Sequence, residues 1–89
     1  MTKQEHAELF DSLYYGHDAE LKIAGKHYFI EWRNNGIDIF LMVNESGTKV
    51  ASVCGDDRNN ILTKLFDITL VGDFSINNSF SDIEIIDIE

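Results

Sequence analysis

The chain has 89 residues, 44% of them hydrophobic, and a formal charge of −9 from 16 acids against 7 bases. That length holds one domain, residues 1–89, with a modest core, and an aromatic share of 11% excludes a disordered composition. Seven bases are too few for binding along a nucleic-acid backbone or an anionic membrane, so neither nucleic acid nor membrane is expected as a partner.

One cysteine, Cys54, excludes an intramolecular disulfide. No apolar run approaches a membrane span, and Met1 to His6 lacks the apolar core of a secretion signal. These features predict a cytoplasmic protein.

The first element is a helix over about residues 3–15. Thr2 and Glu5 stand at capping-box spacing, and Leu9, Phe10, Leu13 and Tyr14 follow at helical intervals up to Gly16. Strand alternation comes next. Leu21 and Ile23 lead through Ala24-Gly25-Lys26-His27, read as a turn, into Tyr28, Ile30 and Trp32. Asn34-Asn35-Gly36 predicts a second hairpin, because Asn-Gly tolerates positive φ. A third strand sets Ile37, Ile39, Leu41 and Val43 on one face, with Phe40 and Met42 on the other. Glu45-Ser46-Gly47-Thr48 reads as the next turn, and residues 49–54 as a fourth strand.

A second helix starts after Gly55. Asp56 or Asp57 caps it, and Ile61, Leu62, Leu65 and Phe66 form its buried stripe. Leu70-Val71-Gly72-Asp73 is irregular, and Ile76 and Phe80 stand four apart, as in a short helical turn. The ending alternates isoleucines with acids, and its phase slips between Ile85 and Ile86, as at a bulge or strand end. The predicted fold is α+β: a four-stranded antiparallel meander between two helices, then a short C-terminal strand. Its expected core is Leu9, Leu13, Leu21, Ile23, Ile30, Trp32, Ile39, Leu41, Leu62, Leu65 and Phe66.

Four stretches carry a resemblance: Gly25-Lys26-x-Tyr28-x-Ile30, Ile61-Leu62, Val71-Gly72-Asp73-Phe74 and the Asp/Ile-rich ending from Asp82 to Glu89. Together they resemble small acidic uncharacterised proteins of Gram-positive bacteria and their phages. The resemblance implies a bacterial or mobile-element setting and the fold just described. It implies no activity and no site residue.

Little in the chain points to catalysis. His6, His17, His27 and Cys54 lack the close spacing of zinc ligands. Asp56 to Asn60 resembles a calcium loop in composition, but Arg58 takes a ligand position and Ile61 the glycine position. Cys54 precedes a helix start, yet Asp56 and Asp57 beside it favour the neutral thiol. No nucleophile–base–oxyanion set is recognisable, so no enzyme and no cofactor is expected.

The remaining signals concern surfaces. After Lys64 the sequence has six acids and no base. Asp56, Asp57, Asp73, Asp82, Glu84 and Asp87 are the candidate contact residues, suited to a basic protein partner or to mimicry of nucleic-acid phosphates. The same charges also serve to protect a sheet edge. Phe29, Phe40 and Met42, with Tyr14, Tyr15, Trp32 and Arg33, suit instead a protein-binding or self-associating module. Phosphate mimicry should weaken steeply with salt, whereas apolar docking should not.

Overall fold

The computed structural model describes residues 1–70, 72–78 and 80–89, with Phe80 described by its backbone alone. Val71, within the stretch read as irregular, lies outside the described residues.

Helix α1 spans Lys3–Tyr14. The Thr2 hydroxyl accepts from the Glu5 amide at 3.1 Å, and the Glu5 carboxylate accepts from the Thr2 amide at 2.9 Å. This capping box satisfies two amides that the first helical turn leaves unbonded. Leu9 and Leu13 are fully buried. The helix stops at Gly16, whose φ of +94° suits glycine.

Four strands follow as a meander: β1 Ala19–Ile23, β2 Lys26–Arg33, β3 Gly36–Val43 and β4 Ser46–Cys54. After helix α2, Arg58–Asp67, and a 3₁₀ turn at Phe80–Asp82, the chain adds β5, Ile83–Ile88. The sheet is antiparallel in the order β4-β3-β2-β1-β5, so the C-terminal strand extends the sheet beside β1.

The turns are tighter than expected. Each hairpin turns on two residues, and Lys26, His27, Ser46, Gly47 and Thr48 already belong to strands. Ala24-Gly25 and Asn44-Glu45 take positive φ at both positions, the twist that suits a two-residue hairpin. The middle turn differs. Gly36 was expected to supply positive φ, but it opens β3 at an ordinary φ, paired with Arg33 and Cys54. A Cβ built on Gly36 would stand 2.0 Å from the Val53 carbonyl oxygen. Close backbone approach, not turn conformation, requires this glycine.

Both edge strands are bulged. Ile39 pairs with Ala51 but Phe40 with Lys49, which leaves Val50 unmatched on β4. Glu20 pairs with Asp87 but Leu21 with Ile85, which leaves Ile86 unmatched on β5, the position of the phase slip in the sequence.

Helix α2 buries Ile61, Leu62, Leu65 and Phe66, as its spacing requires. Ile76 is fully buried in a turn and the 3₁₀ turn begins at Phe80; Ser79, within the helical turn expected to join them, lies outside the described residues. The core lies between the two helices and one face of the sheet. Of the expected core, Trp32 and Leu41 are only half-buried at its rim, while Tyr28, Ile37, Ile76 and Ile83 are buried members not foreseen. Leu41 lies towards the hairpin end of β3, beyond full cover.

Candidate docking face

The register separates the two sheet faces. Tyr28, Ile30, Ile37 and Ile39 point into the core. Their strand neighbours His27, Phe29, Glu31, Asp38, Phe40 and Met42 therefore point the other way, since side chains alternate along a strand. Both helices pack on the core side. The segment after α2 does too: the Tyr28 hydroxyl donates to the Leu70 carbonyl, and Phe74 and Ile76 pack into the core. Phe29, Phe40 and Met42 are half-buried and do not join that core.

Neighbouring strands align the residues of this open face in rows. Glu20 pairs with Phe29, Phe29 with Phe40, and Phe40 with Lys49. The row crosses four strands as acid, aromatic, aromatic, base. Directly paired Cβ atoms are about 5 Å apart, which makes the two side chains cross-strand neighbours. One row down run Lys22, His27, Met42 and Gly47. His27 Nδ1 lies 3.7 Å from the Glu20 carboxylate.

The next row up holds a polar knot. Arg33 Nε donates to Asp38 Oδ1 at 2.8 Å, Arg33 Nη2 donates to Ser52 Oγ at 3.0 Å, and Ser52 donates to Asp38 at 2.6 Å. The Ser52 hydroxyl, then the Arg33 guanidinium, hold the Asp38 carboxyl below its ordinary range. A carboxyl whose folded pKa is depressed stabilises the fold above its unfolded value, near 4, and loses that contribution as pH falls through the folded pKa. Asp38→Asn is therefore expected to flatten the fall in stability below about pH 4. Urea melts over pH 2–6 would show it, and an unchanged acid slope would contradict it.

The residues of interface type at the other end of the sheet have structural work. Trp32 Nε1 donates to the Leu13 carbonyl at 2.8 Å, and Arg58 Nη1 donates to the Tyr14 carbonyl at 2.7 Å. Two carbonyls at the end of α1 gain partners this way. Arg58 also lies over the Trp32 ring, 5.5 Å from its centroid. Tyr14 and Tyr15 stay exposed, in edge-to-face contact.

The six candidate acids divide between places. Asp56 and Asp57 sit between β4 and α2, beside the β4 edge, while Asp82, Glu84 and Asp87 follow the β5 edge. Four strand spacings, about 19 Å, separate those edges. Asp82 and Glu84 line a cleft of about 720 Å³ with Glu5 and Lys22. Asp73 lies in the segment between α2 and the 3₁₀ turn, where its carbonyl accepts from Asn78 Nδ2. Asp57 caps α2, accepting from the Asn60 amide at 2.8 Å. Asp57→Ala is expected to lower stability by about 1 kcal/mol, the usual cost of a lost cap. A thermal melt tests this, and an unshifted midpoint would contradict the cap.

Among the described residues, no three His, Cys, Asp or Glu side chains gather as a metal site, and no helix is long and apolar enough to cross a membrane. Cys54 is exposed at the end of β4. No family model, no curated protein and no solved structure matches the chain.

Proposed function

We propose that the protein is a non-enzymatic protein-binding module and that the open face of its sheet is the docking surface. One observation carries this reading. The C-terminal strand joins the edge of the sheet at β1, while both helices pack on the core side, and the Phe29–Phe40–Met42 cluster stays outside the core. Aromatic and methionine side chains at the middle of a surface, rimmed by charge, make up the usual anatomy of a docking patch.

The double variant Phe29→Ser/Phe40→Ser tests the reading. Both rings lie outside the core, so it should remain folded, with unchanged far-ultraviolet circular dichroism. Affinity capture from cell lysate, at low and high salt with mass spectrometry of what is retained, should lose its salt-resistant partner. Equal capture by the parent and variant proteins would refute the docking face.

A second reading has its own support. Strand β5 sets Glu84 and Asp87 beside Glu20 and Lys22 of β1, giving the sheet an acidic flank. On this reading the flank mimics nucleic-acid phosphates and occupies the basic cleft of a nucleic-acid-binding protein. Capture of such a protein at low salt only, lost on Glu84→Lys/Asp87→Lys but kept by the aromatic variant, would select it.

A further inference from the structure

Resting on the docking-face reading, we infer that the occupant of the open face is a second copy of this chain, packed face to face about a two-fold axis parallel to the strands. The argument is the order of the central row. Glu20, Phe29, Phe40 and Lys49 stand side by side on β1, β2, β3 and β4. An axis between β2 and β3 lays this row over its own reverse. Phe29 then meets the partner's Phe40, Phe40 meets the partner's Phe29, and Lys49 meets the partner's Glu20 at both ends. A two-fold interface must be complementary to itself, and this row is.

The row below agrees. The same axis sets His27 over the partner's Met42, and Lys22 over the partner's Gly47, where no side chain competes for space. The row above opposes the arrangement, because Glu31 and Asp38 are paired neighbours and the axis turns each toward the other's copy. Arg33 already neutralises Asp38 within each copy, so this row carries one uncompensated carboxylate per chain.

Scale fits a reversible dimer. Five strands of 5, 8, 8, 9 and 6 residues give a face about 19 Å wide and, at its centre, about 26 Å long. That footprint, at most about 500 Å² per copy, stands at the small end of specific interfaces. Aligned packing of two sheets interdigitates their side chains, which suits paired phenylalanines.

Sedimentation equilibrium of the purified chain, from micromolar to millimolar concentration, tests the inference. The expected result is a reversible doubling of mass. Lys49→Glu and Glu20→Lys should each weaken association about tenfold, since symmetry counts each reversed pair twice. The double variant should recover it, because its row is again complementary to itself. Lys49 is exposed and Glu20 half-buried on the face away from the core, so loss of fold does not confound these changes. A monomer at every concentration would overturn the inference, as would a dimer indifferent to either charge reversal or not restored by both. If the chain is monomeric but the aromatic variant still loses its captured partner, only the identity of the occupant fails. If neither association nor capture depends on the face, the docking reading falls with it.

Discussion

Replacing Gly36 with alanine is expected to lower the stability of the fold by about 3 kcal/mol, the upper range for forcing extra atoms into a packed site. The new methyl would stand 2.0 Å from the Val53 carbonyl oxygen and 3.1 Å from the Cys54 Cα. Both obstacles are backbone, so no side chain can rotate away. Strands β3 and β4 would have to separate where Ile37 and Val53, both buried, pair across the ladder. Gly25→Ala is the control. Gly25 has positive φ, +79°, but nothing within 4 Å of a new Cβ, so only the conformational cost of about 1 kcal/mol applies. Thermal melts should place the Gly36 variant about 15 °C below the parent and the Gly25 variant about 5 °C below. Equal shifts would mean that strand spacing relaxes without cost.

Phe66→Ala should be as damaging, about 4 kcal/mol, from lost burial and the cavity left behind. Phe66 is almost fully buried. Its ring meets the edges of His6 and Phe10 of α1 at 5.1 and 5.3 Å between centroids, and its carbonyl accepts from the Asn77 amide at 3.0 Å. One residue thus joins both helices to the segment that leads into β5. A domain of this size has only several kcal/mol of net stability, so the variant should be largely unfolded near 37 °C. A midpoint in urea close to that of the parent would show that neighbouring side chains refill the site.

Much of this architecture was legible because it is set by neighbours in sequence. The Thr2–Glu5 box, the α2 stripe and the slip between Ile85 and Ile86 all came through. Gly36 was assigned the wrong task because its obstacle, the Val53 carbonyl, lies seventeen residues away and touches it only once β3 and β4 pair. The place of β5 had the same obscurity: its isoleucine pattern marks a strand but names no neighbour. The acids after Lys64 read as one group along the chain, yet the fold separates them: Asp82, Glu84 and Asp87 follow the β5 edge, away from Asp56 and Asp57, while Asp67 ends α2 and Asp73 lies in the segment beyond it.

The proposed docking face was half legible. Phe29, Phe40 and Met42 announced an apolar second face, but Glu20 and Lys49 did not stand out. Counting outward from each two-residue turn, Ala24-Gly25, Asn34-Asn35 and Asn44-Glu45, brings them into line with the two rings. Ala24 to His27 and Glu45 to Thr48 read as longer turns, and on that count the row falls out of line.

The union of β5 with β1 also sets an order of assembly. Each hairpin of the meander closes a loop of two residues, whereas Ile83 must find Ile23 across sixty residues of chain. Long closures cost more entropy and form later. The meander is therefore expected to form ahead of β5, and β5 to open ahead of the meander. Hydrogen exchange should release the β5 amides facing β1 well before those shared by β2 and β3, by a route that leaves the central hairpin intact.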